Sequence, residues 1–321
     1  MTEAILGIDI AKHTFQVTLL HAGKHFRRRF SNSPAQFEQL TIWLKQHGVP
    51  QVHVCLEATG RYGEDLAEYL FAQQHTVSVV NPAQIRKYAE SKLTRHKTDP
   101  LDADLIADFC QSQHPRPWTP PAPEIRHLQE LVHQYEALQA ARQQEANRLQ
   151  AGLRSQAVQQ LIHAHLQFLD QQLESLKRLI EEHIRQYPDL QRRQDLLTSI
   201  PGIGDLTAAK LQAAQIERFE DTRALTAFAG LNPMQRTSGT SLRRKPRLSK
   251  MGDSDLRRDL YFPAIVAKRW NPIVSNFCER LAAKGKASFI VIGAAMRKLL
   301  CLAFGVLKSG KPFDPNYAHQ G

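Results

Sequence analysis

One apolar run with an aspartate inside it, Ile5-Leu6-Gly7-Ile8-Asp9-Ile10, constrains the fold of this chain more than any other stretch. Six residues are too few for a confident helix and suit a buried strand. Phe15, Val17 and Leu19 then alternate with polar residues, as a half-buried strand does. Ala22-Gly23-Lys24 reads as a turn, and His25 to Ser31 as a third strand completing a meander. There the period changes. Ser33 with Pro34 opens a helix bearing Phe37, Leu40, Ile42 and Leu44, closed near Gly48. Val52, Val54 and Leu56 predict a strand that ends at Glu57. A helix from about Gly63 to Gln73 follows, then a strand from Thr76 to Val80, stopped by Asn81-Pro82.

Three strands followed by strands alternating with helices predict an α/β sheet with the order of an RNase H-like domain. Acidic residues fall at telling places in it. A strand interior is poor ground for Asp9, since a buried unpaired carboxylate is costly. Glu57 stands at a strand end and is followed by Ala58-Thr59-Gly60, small residues that leave open space, and ligand sites of open α/β sheets gather at such ends. In KTDPLDADLIADF, Lys97 to Phe109, Pro100 suits the first position of a helix and Asp99 its N-cap. Asp102, three residues on, projects from the same side of that turn, whereas Asp104 points away.

Each acid also has an ordinary reading. Asp9 can pair with Lys12 or an arginine and Glu57 with Arg61, while Asp99 and Asp102 suit a helix dipole. The four in this order point instead to convergence. Like charges that meet need a cation between them, and oxygen-only ligation suits magnesium or manganese rather than zinc. Such ions can clamp the oxygens of a phosphodiester.

Composition fits that chemistry. A length of 321 residues gives room for about two domains. A formal charge of +11 points to a polyanionic partner. Cys55, Cys110, Cys278 and Cys301 form no CxxC and read as packing residues in a reducing compartment. The N-terminus lacks the pattern of a signal peptide, and no uninterrupted apolar run reaches membrane-spanning length, so a soluble, intracellular protein is expected.

Three segments are expected: a metal-binding catalytic domain over 1–113, a linker and coiled coil over 114–190, and a C-terminal domain over 191–321. Pro115, Pro117, Pro120, Pro121 and Pro123 mark the linker. Leu128, Leu131, Tyr135 and Leu138, then Leu166, Leu169, Leu173, Leu176 and Ile180, recur at heptad spacing. Such helices fold back on one another or join two protomers, and the length of the pattern favours oligomerisation. Ile200-Pro201-Gly202-Ile203-Gly204 joins two helices as a helix-hairpin-helix turn does, where the backbone N–H groups at Gly202 and Gly204 can hold a phosphate. Arg236 to Lys250 is basic with no acid, and reads as an exposed loop. Its Arg236, Arg243, Arg244, Lys245, Arg247 and Lys250 would meet nucleic-acid phosphates. A helix from Ser288 to Leu307 reads as core.

Gly7-Ile8-Asp9-Ile10-Ala11-Lys12, Cys55-Leu56-Glu57-Ala58-Thr59-Gly60, Lys97-Thr98-Asp99-Pro100-Leu101-Asp102-Ala103, the PGIG turn, and Ala227-Phe228-Ala229-Gly230-Leu231-Asn232-Pro233 through Ser238-Gly239 resemble, in order, the DEDD recombinases of the IS-one-ten group of bacterial insertion sequences. The resemblance implies a RuvC-like domain whose tetrad, Asp9, Glu57, Asp99 and Asp102, binds magnesium. It implies a coiled-coil dimerisation element and a transposase domain with Ser238 as nucleophile, forming a covalent phosphoserine–DNA intermediate. It further implies guidance by a bridge RNA that pairs with target and donor DNA, and assembly of dimers into tetramers in the bacterial cytoplasm at the nucleoid. Position alone does not choose Ser238 over Thr237, Thr240 or Ser241. Two other readings remain for the residues themselves: a junction-resolving endonuclease with water as nucleophile, or a non-catalytic nucleic-acid-binding protein. An actin-like ATPase is disfavoured by the lack of a Walker A sequence.

Overall fold

The computed structural model describes residues 4–58, 60–92, 99–234, 237–238, 242–243 and 247–316, with side chains at all but 60–61, 99–101, 237–238, 242–243 and 247. The chain divides into two compact units, Met1–Pro121 and Ala122–Gly321.

The first unit is built on five strands. β1 (Ile5–Ile10), β2 (Thr14–His21) and β3 (Lys24–Ser31) form the meander. α1 (Pro34–Gln46), β4 (His53–Glu57), α2 (Glu64–Ala72), β5 (Thr76–Val80), α3 (Pro82–Ser91) and α4 (Asp99–Gln113) follow. The sheet order is β3-β2-β1-β4-β5, antiparallel across the meander and parallel from β1 to β5. This is the order expected from the change of period. One sheet face presents Leu6, Ile8, Phe15, Val17, Leu19, Val54 and Leu56 to Phe37, Leu40 and Leu44 of α1 and Leu66 and Leu70 of α2. The other packs Ile5, Leu20, Cys55 and Val80 against Ile85 of α3 and Ile106, Ala107, Phe109 and Cys110 of α4.

Gly7 sets how closely α4 lies on β1. A Cβ there would come within 2.3 Å of the Ala103 carbonyl oxygen and 2.4 Å of the Ala107 nitrogen. Backbone cannot yield as a flexible side chain does, so Gly7→Ala is expected to lift α4 and cost about 1–3 kcal/mol, as overpacking does. A thermal melt checks this; an unchanged midpoint would mean that α4 adjusts freely.

The second unit begins with two long helices, α5 (Pro123–Gln150) and α6 (Gln156–Gln186). Their contacts run in opposite senses: His183 Nε2 donates to the Glu124 carbonyl at 2.8 Å, Arg142 pairs with Asp170, and His165 lies 3.6 Å from Glu145. The helices therefore form an antiparallel hairpin. Its seam buries Leu128, Tyr135, Leu173, Leu176 and Ile180, the heptad positions of the sequence, and its core continues into Leu190, Ala209 and Ala213. These belong to α7 (Pro188–Thr198) and α8 (Asp205–Ala213).

Beyond α9 (Thr222–Phe228), the basic segment read as a loop carries nested antiparallel rungs. β6 (Pro233–Met234), β7 (Thr237–Ser238), β8 (Leu242–Arg243) and β9 (Arg247–Leu248) pair as β6–β9 and β7–β8. Lys and Arg obscure strand periodicity, because the alternation of apolar and polar residues that reveals a strand is lost. α10 (Ser254–Asp259), α11 (Tyr261–Trp270), α12 (Pro272–Ala283) and α13 (Ser288–Ser309) complete the unit. By length and composition α13 could cross a bilayer, yet half of its most apolar window is buried. Val291, Ala295, Met296, Leu299, Leu300 and Ala303 make it the core helix, as expected.

Candidate active site

Sheet register fixes which side chains share a face. Gly7 lies opposite Thr18 and Cys55, Thr18 opposite Arg27, and Cys55 opposite Ser78. Gly7 faces α4, so this whole row does. Two residues further along β1, Asp9 returns to the same face, opposite Gln16, which lies opposite Arg29. Glu57, two residues after Cys55, returns to that face at the end of β4. Its charge is felt there. A hydrogen bond with Cys110, burial, and the charges of Cys110 and Glu57 all push the Cys55 thiol up. Buried in this way, Cys55 is a packing residue, as expected, and is not a reactive thiol.

α4 brings the third acid to the same end. Asp104 reaches Thr18 and Arg27 in the Gly7 row, whereas Gln111, seven residues later, lines a small cavity with Leu20, His21, Lys24 and His25. The helix thus runs opposite to β1, and its first turn lies where β1 and β4 end. Asp9, Glu57 and Asp102 therefore share one face and one end of the sheet. All three are half-buried and engaged with neighbours. Among the described residues, no three His, Cys, Asp or Glu side chains are gathered into a metal-holding cluster, and the side chain of Asp99 lies outside them. The donor chemistry fits a hard divalent cation: carboxylate oxygens from β1, β4 and α4, without sulfur or imidazole.

Asp104 serves a different purpose. It accepts hydrogen bonds from Thr18 Oγ1 at 2.7 Å and from Arg27 Nη2 at 2.6 Å. Burial raises its pKa, but the bonds from Arg27 and Thr18 and the Arg27 charge outweigh that, holding the carboxyl below its ordinary value. It clamps α4 to β2 and β3. No periodicity foreshadows this pairing across 77 residues; the available hint was three consecutive arginines in a strand.

In the second unit, Gly202 has φ of +108°, and a Cβ there would lie 2.7 Å from the Ala267 Cβ, so it is required for close packing on α11. Gly204, at the N-cap of α8, faces open space. Ser238 lies opposite Leu242 on the β7–β8 rung. Its side chain, and those of Arg243 and Arg247, lie outside the described residues, as do Arg236, Arg244 and Lys245 entirely. Lys250 is exposed, with φ of +53°.

Residues 6–157 match the family of DEDD-type IS110 transposases, described as "Transposase", and residues 194–279 match "Transposase IS116/IS110/IS902 family". The chain is 32% identical over 319 residues to the "Pilin gene-inverting protein" of Moraxella bovis, spanning 98% of both chains. The chain belongs to the IS110 family of transposases. The Moraxella lacunata protein of the same description is also 32% identical over 319 residues, 98% of both chains. The "Transposase for insertion sequence element IS1328" of Yersinia enterocolitica is 26% identical over 287 residues, 79% of this chain and 80% of that one. Membership in the IS110 family makes this chain an enzyme of DNA recombination and transposition, and DEDD transposases typically use a divalent metal.

Proposed function

We propose that this IS110-family chain is a bridge-RNA-guided recombinase that cleaves and exchanges DNA strands through Ser238, with Asp9, Glu57, Asp99 and Asp102 as ligands of magnesium or manganese. One observation carries the proposal: carboxylates from β1 and β4 and the acidic first turn of α4 share one end of one sheet face. Bound metal would neutralise charge on the phosphoryl oxygens. The Ser238 hydroxyl gives up its proton and bonds to phosphorus as the bond to the departing strand breaks, and the departing oxygen gains a proton. Attack by the hydroxyl of a new strand reverses these events and frees the serine. Arg236 and Arg243 stabilise the phosphoryl charge. Arg244, Lys245, Arg247 and Lys250, with the Gly202–Gly204 turn as a helix-hairpin-helix, hold target and donor DNA or the guide RNA, consistent with a charge of +11.

We assign dimerisation, and from it tetramer assembly, to the α5–α6 hairpin. Leu161, Phe168 and Leu179 remain 71%, 54% and 48% exposed on α6, in a row flanking the seam. The division into a RuvC-like domain over 1–113, an oligomerisation element over 114–190 and a transposase domain over 191–321 follows these roles. The names of the Moraxella relatives extend the reaction to inversion of a DNA segment. A cytoplasmic, nucleoid-associated location follows from the substrate.

Incubating the protein with DNA, guide RNA and magnesium, then denaturing, is expected to trap protein joined to DNA, and Ser238→Ala is expected to trap none. Cleavage that persists in Ser238→Ala would overturn the serine mechanism in favour of water as nucleophile.

A further inference from the structure

The outer edge of the first sheet carries a charge pattern that the carboxylate end does not account for. β3 is the edge strand, and Lys24, His25, Arg27, Arg28 and Arg29 fill five of its eight positions. A lysine or two on an edge is enough to discourage edge-to-edge pairing. Three consecutive arginines exceed that need. Arg27 is committed to Asp104, whereas among the described residues no ion pair involves Arg28 or Arg29. Arg28 lies over the Phe30 ring at 5.0 Å, and Arg29 donates to Thr14 Oγ1 at 3.1 Å.

Register ties Arg29 to the acids. Asp9, Gln16 and Arg29 form one row across β1, β2 and β3 on the α4 face. Two strand spacings separate Arg29 from Asp9, about 10 Å. Lys12, three residues after Asp9, is exposed in the turn at the same end of the sheet. Tyr62 is held at that end as well, because Asn32 Nδ2 donates to its carbonyl at 2.9 Å and to the Ala11 carbonyl at 3.5 Å. The residue so anchored, Tyr62, is 48% exposed. Cations together with an exposed aromatic ring are the means by which proteins hold a nucleic-acid strand without reading its sequence.

We propose that Arg29, Lys12 and Tyr62 form a rim that holds the phosphodiester backbone of the strand leading to the Asp9–Glu57 end of the sheet. Arg29 and Lys12 meet phosphates, and Tyr62 packs on a base or sugar. The inference rests on the reading of that end as the cleavage site. Its chemistry is common to DNA and RNA, so both are tested.

The full-length protein is titrated with a short random-sequence DNA duplex and, separately, with an RNA stem-loop, over a series of salt concentrations. Lys12→Gln/Arg29→Gln is expected to flatten the plot of log affinity against log salt by about 0.7–0.9 for each phosphate that the variant no longer neutralises. The effect appears with whichever nucleic acid occupies the rim. Arg29→Lys is expected to restore most of the slope, and Tyr62→Ala to weaken binding with the slope unchanged. Lys24→Gln/Lys45→Gln, at exposed positions of the same unit toward the opposite end of the sheet, removes the same charge and serves as reference. A slope for Lys12→Gln/Arg29→Gln equal to this reference with both nucleic acids would overturn the rim. Binding slopes do not depend on cleavage, so a failure of the active-site reading is detected separately, as cleavage retained by Asp9→Asn.

Discussion

Asp9→Asn is expected to lower DNA strand cleavage about a thousandfold while leaving the thermal midpoint within a few degrees of the parent. A divalent ion is worth several kcal/mol to a phosphoryl transition state, and each 1.36 kcal/mol is tenfold in rate. The amide keeps the size of the carboxylate and removes its charge, so loss of the ion is the dominant effect. Glu57→Gln is expected to behave alike, because Glu57 shares the face and sheet end of Asp9. Asp104→Asn separates this role from mere acidity. It loosens the tie to Arg27, which is 54% exposed, and such pairs contribute about 0–1 kcal/mol. Quantitative cleavage assays on the three variants, each with a melting curve, check the set. Cleavage by Asp104→Asn as low as that of Asp9→Asn would mean that Asp104 belongs to the reaction centre.

The largest effect on stability is expected at Lys210→Met. Lys210 is only 9% exposed, and its Nζ lies 2.7 Å from Asp259 Oδ1 and 3.1 Å from Glu136 Oε1. Its ammonium thus joins α5, α8 and α10 at a point where two carboxylates face each other. Removing the cation from a buried group costs about 3–5 kcal/mol, mostly because the two carboxylates then keep only the more distant Arg258, 3.6 Å from Glu136 and 3.9 Å from Asp259. pH then distinguishes this cause from lost packing. Burial pushes the Asp259 carboxyl up and Glu136 adds to it, against the pull of Lys210, leaving it at about 6. An unfolded aspartate titrates near 3.9. The folded state therefore takes up the proton first, and stability from this group rises as pH falls from about 7 towards 4. Melting curves at pH 5 and pH 7.5 are expected to show a larger gain on acidification for Lys210→Met than for the parent, and a smaller one for Asp259→Asn. Equal gains in all three would remove the proton from the explanation.

The first sheet was legible because its information is local. Ile5 to Ile10, the alternation through Leu19 and the Asn81-Pro82 stop each identify an element within a few residues, and a meander followed by alternation leaves few topologies. The helical hairpin was half legible. Heptad spacing located its seam at Leu128, Tyr135, Leu173 and Ile180, but the turn between Gln150 and Gln156 does not announce whether the seam closes within one chain. The rungs around Ser238 were not legible, since their residues carry charge where strands ordinarily carry an apolar alternation. Long-range ties were beyond reach: Arg27 with Asp104 and Lys210 with Glu136 and Asp259 join residues that no periodicity connects. The candidate site divides the same way. Asp9 stands out by its cost within an apolar strand and Glu57 by its place at a strand end, whereas the role of Asp104 emerged only with Arg27 in place beside it.

Manganese can stand in for magnesium at oxygen ligands and is visible by electron paramagnetic resonance, so its binding to the protein–nucleic acid complex tests the carboxylate centre most directly. The parent is expected to bind the ion, with Asp9→Asn and Glu57→Gln each reducing binding sharply and Asp104→Asn leaving it intact. Undiminished binding in Asp9→Asn/Glu57→Gln would contradict a metal centre at the ends of β1 and β4.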